Sequence, residues 1–361
     1  MRPPSPYPPP ARGGGHHQVF GRRPMTLAAA ADAAFALVDE AIDAGRIPGA
    51  VLGLVTRDGD RAIRFGGQAA LVPQLVPLAE DTLFDLASLT KVILTATEVL
   101  RLVEQGRVDL SDPLALHLPD LRQYQPEHWV RQVTIRQLLS HRSGLPAVEP
   151  LYTWGSDAET LKALVLQKDW TAGADGYSDV NYVLLGILVE RLRDKPLRDL
   201  LPPGDFAVSP GPARAAATER CTWRGRVMRG EVHDENAFAL GGLAGHAGLF
   251  GSAAAVLDFA QRFLAEEVLR PATVAEMLRA EGHPHGLGWQ VRHEGWSGGS
   301  LCSPDTIGHT GFTGTAMWID LERGHAWTLL TNRVHPSRHV ETGIQALRRG
   351  VSNTVSAGWP F

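Results

Sequence analysis

The sequence predicts an α+β fold: an antiparallel sheet assembled from the two ends of the chain, flanked by terminal helices, with a mostly helical lobe inserted between them. Three observations predict it. Strand signals occur only near the ends, at Gly49–Ala69 and again at Thr306–Val334. Helical periodicity fills the middle of the chain and also opens and closes it. The alternating strand–helix order of a parallel sheet is missing, as are a Walker phosphate loop, a dinucleotide-binding glycine fingerprint and a G-x-S-x-G elbow.

Taken in order, "TLAAAADAAFALVDEAIDAG" reads as the first helix. Two apolar runs then flank Asp58-Gly59, a dipeptide whose backbone suits a hairpin turn. In "FDLASLTKVILTATEVLRLVEQG" the residues Val92, Ile93, Ala96, Val99, Leu100 and Val103 recur at helical spacing, and Gly106 is a natural stop. Further helices are expected at "VTIRQLLSH", "DAETLKALVLQK" and "DVNYVLLGILVERLRD". The second strand region turns at Glu322-Arg323-Gly324, and a last helix is expected around "HVETGIQALRRG". The expected division is a Pro/Gly/Arg-rich disordered tail over residues 1–24, then one bilobal domain over 25–361. Its α/β lobe takes about 25–87 and 240–361, and its helical lobe about 88–239. The tail lacks the apolar stretch of a secretory signal, and a helical pattern begins just after Met25, which makes Met25 a second candidate start; a cytoplasmic location is expected.

Composition narrows the function. The 361 residues are 44% hydrophobic and 20% charged, a globular balance. The net charge of −4, with no concentrated basic block in the folded part, argues against nucleic acid as a partner. No apolar run is long enough for a membrane-spanning helix. Cys221 and Cys302 are the only cysteines, too few for a disulfide framework or a cysteine metal site. His283 and His285 share a loop without the spacing of a metal motif. No metal and no cofactor are expected, and the sequence leaves the oligomeric state open. "LGGLAGHAGLFG" lacks the Lys-Ser/Thr of a nucleotide site and reads as a close-packed loop.

Chemistry enters with Ser88 and Lys91, three residues apart at the opening of a helix. Ser88, Lys91 and Thr95 share one face. The bland reading is a serine cap followed by an exposed lysine. The chemical reading is a nucleophile with its proton acceptor one turn away, since a serine hydroxyl is weak without a base. Lysine can be that base only if its pKa falls well below about 10.4. An amide at a helix start is also free to bind a developing oxyanion. Two segments supply partners. "GYSDVNY" places Tyr177 just before a helix, and "GHTGFTGT" places His309 on a strand among small residues.

In this order the three segments resemble the serine β-lactamase and penicillin-binding-protein superfamily, with its S-x-x-K, Y-x-N or S-x-N, and K-T-G or H-T-G motifs. "LLSHRSGLP" and "HGLGWQ" extend the resemblance, which covers roughly Leu27 to Gly350. It implies a β-lactamase/transpeptidase-like fold and a serine hydrolase working by two-step acyl transfer. Ser88 would be the acylated nucleophile, Lys91 and Tyr177 its acid–base partners, and His309 a group assisting substrate binding and proton movement. The backbone amides of Ser88 and Phe312 would form the oxyanion hole, and Asp179, Thr310 and Gly311 would bind substrate.

Two departures stand out. Tyr177-Ser178-Asp179 puts a carboxylate where the family has an asparagine donor, and Asp179 could instead pair with Lys91 and keep it charged. His309 replaces the lysine of K-T-G, which argues against an efficient β-lactamase. "EVHDENAFALGGLAGHAGLFG" and "LLTNRVHPSR" resemble the branch with muropeptide amidases and esterases. The expected substrate is a small ester, or a cell-wall-derived amide or muropeptide. A true β-lactamase and a non-hydrolytic peptidoglycan- or penicillin-binding sensor are the alternatives. His233, Asp234 and His246 are weaker substrate candidates, and Trp129, Tyr152, Trp154, Trp170 and Trp289 candidate cleft walls.

Overall fold

The computed structural model describes residues 25–280 and 283–358, so the tail expected over residues 1–24 lies outside the described residues. The Asp58-Gly59 turn joins β1 (Gly49–Thr56) to β2 (Arg61–Ala70), with Gly59 at φ 96°. β3 (Val76–Pro77) extends this hairpin. The next strands are short: β4 (Phe84–Asp85), β5 (Phe206–Ala207), β6 (Ala217–Cys221), β7 (Arg226–Arg229) and β8 (Phe250–Gly251). β9 (Gln290–Val291), β10 (Thr306–Thr310), β11 (Ala316–Asp320) and β12 (His325–Thr331) close the series. The order β3-β2-β1-β12-β11-β10-β9 makes one seven-stranded antiparallel sheet. Its centre joins the chain ends: β1 pairs with β12 from Ala50–Thr331 through Thr56–His325.

Alternation along β1 divides the core. Leu52 and Leu54 pack with Val38 of the helix Leu27–Asp43 and Val351 and Val355 of the helix Ile344–Gly358. Val51 and Val55 face the other way, into a core shared with Val256 and Leu257 of the helix Ala253–Leu264. β1 is therefore apolar on both faces, as a central strand must be, and each fully buried Val or Leu contributes about 1.5–3 kcal/mol. At Gly53 a Cβ would stand 2.7 Å from Leu257 Cδ1, so this glycine lets the helix approach the sheet.

The helices expected in the middle are present at Ile135–Leu139, Ala158–Gln167 and Asp179–Arg193. Among the described residues no helix is long and apolar enough to cross a membrane. Three details differ from the sequence reading. The last helix begins only at Ile344, because Gly343 stands at φ 66° and breaks the turn before it. The Ser88 helix opens with a π-helical stretch, Lys91–Ala96, before the α-helix Thr97–Glu104; Thr97 Oγ1 bonds the Val92 carbonyl within it. Two small sheets, β4-β8-β5 and β6-β7, carry no sequence signal, since strands of two to five residues are too short to show alternation. The first of them fastens the residues before Ser88 to the glycine-rich segment: Phe84 pairs with Gly251 and Asp85 with Phe250.

Candidate active site

Ser88 sits on a tight turn between β4 and its helix. Ala87 has φ 47°, and Asp85 Oδ1 accepts the Ala87 N–H at 2.9 Å. The other oxygen, Asp85 Oδ2, accepts the His233 N–H at 2.6 Å. One buried carboxylate thus sets the turn that presents Ser88. The π-helical turn aims Lys91 and Thr95 at the glycine-rich segment, where Thr95 Oγ1 bonds the Gly245 carbonyl at 2.7 Å. That segment is close-packed as expected: a Cβ on Gly245 would lie 1.9 Å from the Tyr182 carbonyl. π-Turns of this kind recur at functional sites.

Lys91 is 0% exposed, which rules out the reading of an exposed lysine after a cap. Its Nζ donates to Ser88 Oγ at 2.8 Å and to the His246 carbonyl at 3.1 Å, and pairs with Asp179 Oδ1 at 2.8 Å. An ammonium has three N–H donors, and four acceptors share them, the Tyr177 hydroxyl being the fourth. Burying an unpaired cation costs several kcal/mol and would drive Lys91 neutral. Here the Asp179 carboxylate and Tyr177 outweigh burial, and the Lys91 pKa lies above its usual value. Lys91 is an ammonium at neutral pH.

Tyr177 closes the triangle. Its hydroxyl hydrogen-bonds both Lys91 and Ser88, and burial of that hydroxyl raises its pKa against the pull of the Lys91 charge. Tyr177 is 37% exposed while its hydroxyl points inward to Lys91 and Ser88. Ser178 caps the helix Asp179–Arg193 and donates to the Pro146 carbonyl at 2.7 Å, which fixes where Tyr177 and Asp179 emerge.

Three neutral imidazoles meet around Tyr177. His309 Nδ1 lies 3.0 Å from the Thr310 carbonyl, which can only accept, so Nδ1 carries the proton and Nε2 is a bare acceptor. That Nε2 is buried with no partner among the described residues. Burial and the Lys91 charge push His309 well below the usual histidine value. His141 accepts the Ser178 N–H on Nδ1 at 3.0 Å, leaving Nε2–H as a donor, and its ring packs 4.4 Å from Tyr177. Burial, with His285 next, holds His141 well below its usual value. His285 stands 5.7 Å from Tyr177 and 6.5 Å from His309, and burial pushes its pKa down to about 4.

The segment after β10 faces Ser88 from the other side. Among the described residues neither the Ser88 nor the Phe312 amide has a hydrogen-bond partner. Thr313 Oγ1 bonds the Asp85 carbonyl at 2.7 Å and Thr315 Oγ1 the Leu86 carbonyl at 3.0 Å, tying this segment to the Ser88 turn. Arg348 clamps it from behind, its Nη2 donating to the Gly311 carbonyl at 3.0 Å and the Thr315 carbonyl at 2.8 Å. Burial pushes the Arg348 pKa down to about 9. Two unpaired amides on segments tied together at the Ser88 turn are an arrangement that can receive an oxyanion.

The structure thus brings Ser88, Lys91, Tyr177, His309, Asp179 and the Thr310–Phe312 segment to one cleft. Asp179 turns its carboxylate onto Lys91. His233 stacks on Phe312 at 5.7 Å and bonds Glu219 at 3.0 Å; Glu219, between His233 and Arg338, falls to about 2 although burial opposes it. Asp234 caps the helix Glu235–Ala239 and meets His246 Nε2 at 2.8 Å. His246 contributes to the site through its carbonyl. Trp170 and Trp289 are buried core residues and not cleft walls; Trp129, Tyr152 and Trp154 are partly buried against that core. Among the described residues no group of three or more His, Cys, Asp or Glu is arranged to hold a metal ion, His283 and His285 included. Cys221 and Cys302 are both free. Sequence reasoning missed the positioning roles of Asp85, His141 and Arg348. His141 stood inside the quoted "LLSHRSGLP" but carried no chemistry until the fold placed it against Tyr177.

A family model described as Beta-lactamase matches residues 34–350. The chain is 30% identical to an N-acetylmuramyl-L-alanine amidase of Bacillus subtilis, over 83% of this chain and 80% of that protein. It is also 30% identical to a putative D-alanyl-D-alanine carboxypeptidase of Escherichia coli K12, over 81% and 78%. Its fold resembles that of the D-amino acid amidase of Ochrobactrum anthropi SV3, with TM-score 0.70 at 22% identity over 91% of this chain and 99% of that one. A β-lactamase from Sulfitobacter sp. EE-36 also gives TM-score 0.70, at 20% identity over 92% and 99%.

Proposed function

The chain belongs to the Beta-lactamase family and is a serine hydrolase, and from that premise we propose that it cleaves a small ester or a cell-wall-derived amide through an acyl-Ser88 intermediate. One observation carries this reading: the Lys91 ammonium lies 2.8 Å from Ser88 Oγ, fully buried, with the Tyr177 hydroxyl bonded to both. Lys91 is held as an ammonium and has no lone pair to take a proton, so the base is Tyr177, acting once the Lys91–Tyr177 pair has lost one proton. Ser88 Oγ attacks the carbonyl carbon and its proton passes to the Tyr177 oxygen. The Ser88 and Phe312 amides take the oxyanion. Tyr177 then hands the proton to the leaving nitrogen or oxygen, the bond to it breaks, and the acyl group remains on Ser88. Water attacks the acyl carbon with Tyr177 again taking its proton; the bond from that carbon to Ser88 Oγ then breaks, Tyr177 returns the proton to Oγ, and the acid leaves. His309 offers an acceptor Nε2 to the substrate where a K-T-G lysine would offer a cation, which favours esters and amides over β-lactams. The amidase and carboxypeptidase names of the relatives support an amide in a cell-wall fragment.

The direct test is rapid mixing with a p-nitrophenyl short-chain ester, with intact mass recorded at early times. Wild type should gain one acyl group and Ser88→Ala none. A folded wild type showing neither adduct nor turnover would sink the hydrolytic reading.

Asp179 supplies a second expected result. Its charge raises the pKa of both Lys91 and Tyr177, so it holds the proton that must leave before Tyr177 can act. In wild type kcat/KM should therefore rise with pH through the alkaline range. Asp179→Asn lowers both values, so the deprotonated pair forms at lower pH and the rising limb moves down the pH axis. The reported values belong to the pair. An unmoved limb in a pH–rate series would show that Asp179 does not control the base.

A further inference from the structure

Several arginines of this chain have carboxylate partners. Arg338 binds Glu219 and Glu235, Arg191 binds Asp120, and Arg193 binds Glu98. Arg333, just past the end of β12, does not. Among the described residues its side chain makes no hydrogen bond or ion pair, and its Nε is buried without a partner. Its guanidinium carbon lies 5.0 Å from the centroid of the Phe312 ring. Glu341 acts on it only at a distance, and Glu341 Oε1 already accepts the Gly343 N–H at 2.7 Å.

Arg333 also forms a wall of a cavity of about 320 Å³ at the end of the sheet where β12 finishes and β1 begins. Arg46 lines the same cavity, exposed and likewise without an ion pair among the described residues. No Asp or Glu lines it. His335 lines it too, but its Nδ1 donates to the Thr218 carbonyl at 2.9 Å and its Nε2 accepts the Leu71 N–H at 2.8 Å, so it is a spent neutral group. The charge of Arg333 is felt by Arg348, whose own partners are carbonyls. The two charged side chains of the cavity wall are thus both guanidinium groups, with no carboxylate beside them in the lining. A guanidinium can receive a carboxylate in two parallel N–H···O bonds, the geometry its planar fork is built for. The volume matches one small-ligand site.

The place of this cavity bears on the substrate. Tyr177 packs with His141, His285 and His309, and by the reading above it protonates the leaving group there. Phe312 packs on the other side with His233, Arg333 and Arg338. Resting on the proposed acyl-Ser88 chemistry, we infer that the Arg333–Arg46 cavity is a subsite for a carboxylate carried on the acyl portion of the substrate. The preferred substrates are then acidic acyl compounds, and Arg333 is a specificity-determining residue.

Two arms test this. In the first, Ser88→Ala protein is titrated calorimetrically with monomethyl adipate, dimethyl adipate and inorganic phosphate. The monoester should bind at least tenfold tighter than the diester, and Arg333→Gln in the same background should erase that difference. Arg333→Lys should keep part of it, and Arg46→Gln should weaken it without touching a buried group. Equal binding of the two esters, or a preference that survives both glutamine variants, overturns the subsite. Phosphate binding tighter than the monoester overturns its assignment to a substrate carboxylate. In the second arm the ratio of kcat/KM for mono-p-nitrophenyl adipate to that for its methyl ester should exceed ten in wild type and fall tenfold in Arg333→Gln. Turnover of both esters at a ratio indifferent to Arg333 overturns the subsite and leaves the hydrolase intact. Arg333-dependent binding without any turnover does the reverse.

Discussion

Tyr177→Phe is expected to lower kcat for ester hydrolysis by about 10²- to 10⁴-fold, the usual contribution of a positioned acid–base group. Each tenfold loss is worth about 1.4 kcal/mol of transition-state stabilisation. The substitution deletes one oxygen. That oxygen is the atom joined to both Lys91 and Ser88, and no second phenol stands in reach to replace it: Tyr182, also near Lys91, donates its hydroxyl to the Leu139 carbonyl at 3.0 Å. The ring keeps its contact with His141 at 4.4 Å, and a third of it faces solvent, so the melting temperature should stay close to wild type. The loss should fall on kcat, since a proton in flight belongs to the transition state and not to substrate binding. Stopped-flow kinetics beside a thermal melt check both halves. A phenylalanine variant with the wild-type rate would remove Tyr177 from the mechanism.

Gly311→Ala is the second change with a large expected effect, and it works through shape. A Cβ there would stand 2.1 Å from Thr315 Oγ1 and 2.6 Å from the Leu86 carbonyl. Neither can step aside cheaply, because Thr315 Oγ1 and the Leu86 carbonyl are hydrogen-bonded to each other at 3.0 Å. The loop has to move away from the Ser88 turn, and it carries the Phe312 amide with it. Losing one oxyanion donor costs about 10²- to 10³-fold in kcat. The forced displacement of packed atoms adds about 1–3 kcal/mol of destabilisation. The variant should therefore melt lower and turn over far more slowly, with acylation the step that fails in a burst assay. An alanine variant that acylates at the wild-type rate would show that the Phe312 amide does not receive the oxyanion.

Much of this site was legible in the residues because its parts are local. Ser88 and Lys91 are one helical turn apart, and a turn is enough to bring Oγ to Nζ whatever the rest of the chain does. The hairpins at Asp58-Gly59 and Glu322-Arg323-Gly324 were legible for the same reason: turn chemistry and alternation act over fewer than ten residues. The motif order allowed the catalytic segments to be grouped through resemblance to a family. The sequence reading also foresaw the two effects Asp179 could have, but it had no means of choosing between facing substrate and facing Lys91.

What the sequence by itself determined is therefore the placing of a serine and a lysine within one turn of each other and the layout of sheet and helices. Only the tertiary structure decided the protonation states and the supports. The Asp179–Lys91 ion pair keeps the lysine charged, which is why the proposed mechanism gives the proton transfer to Tyr177. His141, His285 and His309 meet around Tyr177 from three separate segments, and burial makes all three neutral. Arg348, 37 residues beyond Gly311, braces the loop that carries Phe312, and Arg333 is left without a carboxylate. The physical reason is common to all of these. A pKa, a hydrogen-bond partner or an unpaired charge depends on which groups share a few ångströms of low-dielectric space, and that neighbourhood is set by long-range pairing such as β1 with β12, which no local pattern encodes.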